Sequence, residues 1–190
     1  YQDAKIWYKK VADAGYACLN WPKQYGGAGL RDIHKVIWSQ EVANYAEPDG
    51  YFVIGIGNCG PAIMHFATEE QKKTLLPPMA SAETVWCQMF SEPSAGSDVA
   101  GLRTSAVADG DNWIINGQKI WTSRAEYSDL LLLLARTTPL EEVKLRRHGL
   151  SVFLVDMRDV EGLEIRPIRT MINHATTELF FTDMRIPADS

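Results

Sequence analysis

The spacing of apolar residues changes character near residues 84–87, and this change constrains the fold more than any other feature of the chain. Before it, apolar side chains recur every three to four positions, as one face of a helix requires. After it, they fall in short runs of about five to eight residues separated by turn chemistry. Helices followed by strands, without alternation of the two, specify an α+β protein. The expectation is an all-helical domain over residues 1–84 and an antiparallel β-barrel or sandwich domain over residues 85–190.

Within the helical half, Ile6, Trp7, Val11 and Ala14 recur at helical spacing before Gly15. This predicts an amphipathic helix that packs one face inward and stops at the glycine. A turn-rich connector, Asn20-Trp21-Pro22-Lys23-Gln24-Tyr25-Gly26-Gly27-Ala28-Gly29, leads to a second helical stretch over residues 33–45. The apolar stretch 51–66 is interrupted by Gly55, Gly57 and Gly60-Pro61, which predicts two closely packed helical pieces. Thr68 and Gln71 have capping-box spacing, and Pro77-Pro78 is expected to end the helix they begin.

In the second half, strands are expected over residues 85–91, 102–108, 113–116, 118–123, 129–136, 150–156, 163–167 and 178–186. Asp109-Gly110-Asp111 reads as a hairpin turn between two of them. The longest apolar run, residues 130–135, is too short to span a bilayer and reads as a strand buried on both faces.

A chain of 190 residues with 46% hydrophobic and 23% charged content can bury a sizeable core. Its net charge of -5, with basic residues scattered, argues against nucleic acid as a main partner. The local run Lys144-Leu145-Arg146-Arg147 reads as a solvated loop. Cys18, Cys59 and Cys87 are odd in number and lie in apolar or small surroundings, so they read as buried thiols in a reducing compartment. No set of His, Cys or carboxylates has metal-ligand spacing. The chain starts at Tyr1 without an initiator Met, a charged leader or a signal core, and is expected to be a trimmed or partial chain.

Two blocks carry the chemistry. Phe90-Ser91-Glu92-Pro93-Ser94-Ala95-Gly96-Ser97-Asp98 directly follows an apolar run, and Gly117-Gln118-Lys119-Ile120-Trp121-Thr122-Ser123 follows some two dozen residues later. The first describes a strand that opens into a tight loop rich in backbone donors and small hydroxyls. Such a loop accommodates a ligand with phosphates and carbonyls. Taken alone, Ser91 reads rather as a strand-end serine that caps a turn, and Trp121 as a core aromatic, the commoner fate of a strand Trp. Glu92, a carboxylate beside proline at a turn, reads as structural. Asp98 is expected to fix the loop by accepting backbone hydrogen bonds.

Together with Gly26-Gly27, Thr68-Glu69-Glu70-Gln71-Lys72-Lys73 and the closing Phe180-Phe181-Thr182-Asp183-Met184-Arg185-Ile186-Pro187, these blocks resemble the acyl-CoA dehydrogenases, in that family's order and over almost the whole chain. The resemblance implies an N-terminal helical domain, a middle β domain that binds flavin and acyl-CoA, and a further helical domain after Ser190. It implies FAD as cofactor and assigns Gln88, Met89, Phe90, Ser91, Gly96, Ser97, Trp121, Thr122 and Ser123 to its binding, with Ser97 also contacting the acyl-CoA thioester. Backbone N–H groups near Phe90 and Ser91 would meet the pyrimidine end of the isoalloxazine, where negative charge develops on reduction. The Trp121 indole would pack against the ring system and the Ser123 hydroxyl would bond near the hydride-accepting nitrogen. Ser91 and Ser123 stand where the family usually has Thr, Thr122 where it has an apolar residue, and Arg124 where it has a small polar one. The 169–177 segment, with His174 and Thr176, resembles the family's stretch near the acyl pocket.

The implied reaction is α,β-dehydrogenation of an acyl-CoA thioester to the trans-2-enoyl-CoA. Its general base, a Glu of the last helical domain, is expected beyond Ser190, so no catalytic residue is assigned within this chain and the chain alone is expected to be inactive. Implied partners are an electron-transfer flavoprotein or similar acceptor and, at full length, further copies in a dimer or tetramer. The implied compartment is the cytoplasm of a bacterium, or the mitochondrial matrix of a eukaryote. A non-catalytic assembly subunit, or an oxidase or monooxygenase on the same scaffold, are the alternatives.

Overall fold

The computed structural model describes residues 1–172 and 175–190; His174 lies outside the described residues. The chain divides into two compact units, Tyr1–Trp86 and Cys87–Ser190.

The first unit is helical. Helix α1 (Gln2–Asp13) buries Ala4 and Tyr8, with Trp7 and Val11 partly buried beside them, against Ala17, Phe52, Ala82 and Val85. Its inward face is therefore rotated from the one expected: Ile6 is 57% exposed and Ala14 faces solvent. Tyr8 explains the rotation, because its ring can fill a core position that a reading weighted toward aliphatic residues gives to Ile6. The helix stops as expected at Gly15, whose φ of 80° lets the chain reverse. There Tyr16 N–H bonds the Val11 carbonyl and Gly15 N–H the Ala12 carbonyl, satisfying two of the helix's terminal acceptors.

Helix α2 (Asp32–Val42) has no buried residue within the unit. The 51–66 stretch does not separate into two helices. A π-helical turn over Gly55–Cys59 runs directly into α3 (Gly60–Phe66), so the glycines widen the helix without breaking it. Helix α4 (Glu69–Ala80) begins on the expected capping box, with Thr68 and Gln71 bonding reciprocally. It then continues past Pro77-Pro78, which was expected to end it. Both prolines sit in the last turn, where Leu76, Met79 and Ala80 are buried, and the Pro77 carbonyl still accepts the Ser81 N–H. Packing of that turn outweighs the lost donors, a case of tertiary context overriding propensity.

The second unit is one curled, mixed, seven-stranded sheet. Its strands are β1 (Trp86–Met89), β2 (Ser105–Asp109), β3 (Asn112–Ser123), β4 (Leu130–Arg136), β5 (Leu150–Asp156), β6 (Leu163–Ile168) and β7 (Thr176–Pro187), ordered β1-β4-β2-β3-β7-β6 with β5 on β4. The β2–β3, β3–β7, β4–β5 and β6–β7 pairs are antiparallel, in line with expectation. Contrary to it, β2 and β4 run parallel, meeting only at Ser105 and Arg136. β4 is buried almost throughout, as its apolar run requires, and contributes Leu131, Leu133 and Ala135 to a core shared with Met89, Ile115, Phe153, Leu179 and Met184.

Two compensating bulges shape the long β3–β7 pair. Between Ile115 and Gly117 the extra residue lies on β7, where Asp183 has φ 47°; between Lys119 and Thr122 it lies on β3, where Trp121 has φ 62°. The Asn116 side chain holds the first by bonding both the Asp183 N–H and its carboxylate. Each bulge shifts the alternation of inward and outward side chains by one residue. β3 therefore stays continuous through Gly117, where two strands were expected.

Candidate functional site

β1 ends at Met89 and the chain turns back almost at once. Glu92 N–H donates to the Ala95 carbonyl at 2.8 Å and Ala95 N–H to the Glu92 carbonyl at 3.1 Å, with Pro93 and Ser94 at the bend. Gly96 and Ser97 follow, both exposed.

Beneath this loop lies a buried ion pair. Lys119, from β3, is 0% exposed and its Nζ donates to Glu92 Oε1 at 2.8 Å and to the Phe90 carbonyl at 3.1 Å. Glu92, 6% exposed, also accepts the Arg103 N–H at 2.6 Å and the Thr104 N–H at 3.0 Å. Gly117, at φ 150°, permits the close approach of Thr104, whose Cα would lie 2.7 Å from any added Cβ. Burial alone would raise the Glu92 pKa, but the bonds from Lys119, Thr104 and Arg103 together hold it below the ordinary carboxylate value. Burial pulls Lys119 below an ordinary lysine, and the Glu92 carboxylate opposes that. Glu92 is thus structural, as expected.

Above the pair, Ile120 N–H donates to the Ser91 carbonyl at 3.0 Å, which sets the end of the β1 segment beside the second bulge. The bulge turns Thr122 inward, 3% exposed, with its carbonyl accepting the Thr177 hydroxyl at 2.9 Å. It turns Trp121 outward, 61% exposed. A bulge that re-aims one side chain is a recurrent device beside binding sites. Gln88, Phe90, Ser91 and Ser123 are half-buried, whereas the Met89 side chain lies wholly in the core. Among the described residues, the side chains of Ser91, Ser97, Trp121 and Ser123 and the Ser91 N–H make no hydrogen bond within the protein. Unpaired donors and small hydroxyls beside an outward indole match the needs of a flavin, whose ring offers a flat π face and an edge of carbonyls and nitrogens.

The loop is braced from the other side by Arg136, which sequence reasoning did not single out. At 8% exposure, it donates to the carbonyls of Ala100, Leu102, Arg146 and His148 at 2.9–3.4 Å. The basic run Lys144-Leu145-Arg146-Arg147 is therefore pinned through its backbone while its charged side chains face solvent. Asp98 does not take the backbone bonds expected of it: its carboxylate accepts Arg146 Nη2 at 2.8 Å, because the pinned loop brings that guanidinium within reach. Lys119 was also missed; a lysine flanked by Gln118 and Ile120 inside a strand was the available signal. Among the described residues no group of His, Cys, Asp and Glu could hold a metal, and no helix is long and apolar enough to cross a membrane.

The fold and the site define a chain of one family. The model of the acyl-CoA dehydrogenase N-terminal domain matches residues 2–83, and that of the acyl-CoA dehydrogenase middle domain residues 87–184. The chain is 41% identical to acyl-CoA dehydrogenase IpdE1 of Mycobacterium tuberculosis over its whole length and 48% of that protein's. It is similar to the solved Tcur3481-Tcur3483 steroid ACAD, with a TM-score of 0.89 and 33% identity over 100% of this chain and 48% of that one. The ChsE4-ChsE5 complex from Mycobacterium tuberculosis gives a TM-score of 0.87 and 35% identity over 97% of this chain and 47% of that one. The chain belongs to the acyl-CoA dehydrogenase family. It spans about half the length of the curated relatives it matches.

Proposed function

We propose that the full-length protein is an FAD-dependent acyl-CoA dehydrogenase and that this chain supplies the part that holds the flavin and one end of the thioester. The observation that carries the reading is the outward Trp121 on its bulge, next to the unpaired Ser91 and Ser123 hydroxyls. Ser91 would donate from its N–H and hydroxyl, Ser123 from its hydroxyl, and Trp121 would offer the face of its indole. The backbone of Gln88, Met89 and Phe90 would line the cofactor, Thr122 would hold the bulge from inside, and Gly96 and Ser97 would face the ligand, with Ser97 on the acyl-CoA. FAD, when bound, would accept the β hydrogen as hydride while a Glu outside this chain takes the α proton.

A steroid ACAD among the structural neighbours supports a bulky, ring-bearing acyl group as the first thioester to try, ahead of linear chains. Both neighbours are named for two chains, which supports assembly with a second chain; a homo-oligomer is the other assembly proposed. An electron-transfer flavoprotein is the proposed acceptor. Anaerobic addition of ring-bearing and linear acyl-CoA thioesters to the flavin-loaded protein tests the reading. Bleaching of the flavin band supports it, and a folded protein that takes up no FAD favours a non-catalytic subunit. Rapid reoxidation of the reduced flavin by oxygen would favour an oxidase.

A further inference from the structure

We infer that Lys119 is a positioning residue that tunes the flavin through a single peptide group; the inference rests on the flavin reading above. The Phe90 carbonyl and the Ser91 N–H are the two ends of one peptide unit. Lys119 Nζ bonds the carbonyl end at 3.1 Å, from a site with no exposure to solvent. The N–H end is free among the described residues, and it belongs to the edge proposed to meet the flavin.

A cation on a carbonyl oxygen draws electron density along the amide and makes its N–H a stronger donor. Around a side chain with no exposure to solvent the effect is screened little. The same ammonium is held in place by Glu92, whose other bonds to Arg103 and Thr104 anchor it to the entry of β2. The Phe90–Ser91 peptide is held by Lys119 on the Phe90 oxygen, and the next peptide by Ile120 on the Ser91 oxygen, with the Glu92–Ala95 turn just beyond. A donor so oriented and so polarised stabilises negative charge that develops opposite it and needs no reorganisation. Lys119 thus favours reduced over oxidised flavin while touching neither cofactor nor substrate. Glu92 fixes Lys119 in turn.

A merely structural ion pair would affect only folding, so the test reads the flavin. In the full-length holoprotein, Lys119→Met removes the cation and keeps an unbranched apolar stem, and Lys119→Arg keeps the cation. Because Lys119→Met leaves Glu92 buried and alone, the double variant Glu92→Gln/Lys119→Met is made beside it, removing both charges together. Circular dichroism and thermal unfolding select the folded variants, and the flavin midpoint potential is then measured for each. The expected result is about a tenfold loss of preference for reduced flavin, a midpoint roughly 30 mV more negative, in Lys119→Met or the double variant. Lys119→Arg should recover at least part of it. A folded variant lacking the cation whose potential equals the parent's overturns the inference.

Ser91→Pro, which deletes the N–H itself, separates this failure from failure of the flavin reading. If Ser91→Pro lowers the potential and loss of Lys119 does not, the flavin sits as proposed and Lys119 is only structural. If Ser91→Pro leaves the potential unchanged, the placement of the flavin at Ser91 falls and the inference falls with it.

Discussion

The Ser91 carbonyl accepts the Ile120 N–H at 3.0 Å, so the segment leaving β1 is fixed directly beside the bulge that turns Trp121 outward. Residues far apart in sequence thereby present their free donors and an aromatic face on neighbouring pieces of backbone.

Trp121→Ala and Ser123→Ala should weaken flavin retention while leaving the fold intact. Trp121 is mostly exposed and Ser123 makes no side-chain hydrogen bond among the described residues, so neither removal opens a core cavity. An aromatic contact is worth about 0.5–1.5 kcal/mol, so Trp121→Ala should weaken flavin binding roughly two- to tenfold. Flavin occupancy after gel filtration and the rate of anaerobic reduction measure this. Unchanged values in both variants would remove these residues from the site.

The Glu92–Lys119 pair gives stability a particular acid dependence. The folded pKa of Glu92 lies below its unfolded value of 4.5. Its contribution is therefore fully present above the unfolded value and is lost as pH falls through the folded one. Lys119 carries the opposite sign: its folded pKa is lowered by burial, so it penalises the fold until pH rises into the alkaline range. Urea unfolding of the parent and of Glu92→Gln/Lys119→Met, followed from neutral pH down to about 3, isolates the pair from other carboxylates. The stability difference between them should shift against the parent below about 4.5. A pH-independent difference would contradict the assignment.

Arg136→Met should loosen the loop that carries the basic run. It strips the donor from the carbonyls of Ala100, Leu102, Arg146 and His148, and hydrogen bonds to a charged group are worth about 1.5–3 kcal/mol. Limited proteolysis should cut within residues 139–149 faster than in the parent, with a lowered urea midpoint. Arg146→Ala, which breaks only the exposed pair with Asp98, should change stability by under about 1 kcal/mol. Equal cutting in the parent and Arg136→Met would show that the loop is held otherwise.

The thiols should be inert in the native protein. Cys18, Cys59 and Cys87 are all buried, and burial pushes Cys18 and Cys87 up to about 12. At mildly alkaline pH an alkylating reagent should leave all three untouched, then modify them fully in denaturant, as read by mass spectrometry. Rapid native labelling of either Cys18 or Cys87 would contradict their burial.

What could be read from the sequence was what depends on neighbours along the chain. The Thr68–Gln71 box, the stop at Gly15, the buried β4 run and the turn after β1 are local chemistry, and each is found where it was expected. The misses arise from contacts across the chain. Pro77-Pro78 stays helical because Leu76, Met79 and Ala80 pack, and Ile6 yields its inward position to Tyr8. Lys119 was not singled out because its partner Glu92 is 27 positions away. The parallel contact of β2 with β4 and the paired bulges of β3 and β7 depend on register, which apolar spacing does not encode. At the candidate site, the two motif blocks mark the residues, and the bulge that turns Trp121 out and Thr122 in had no signal in spacing.

The most direct measurement is the visible spectrum of the full-length protein during anaerobic titration with ring-bearing and linear acyl-CoA thioesters. The expected result is a bound flavin band that one of these thioesters bleaches, and does so more slowly or less completely in Trp121→Ala. A protein that folds and assembles yet carries no flavin after FAD is supplied, or a flavin that no thioester reduces, would contradict the account.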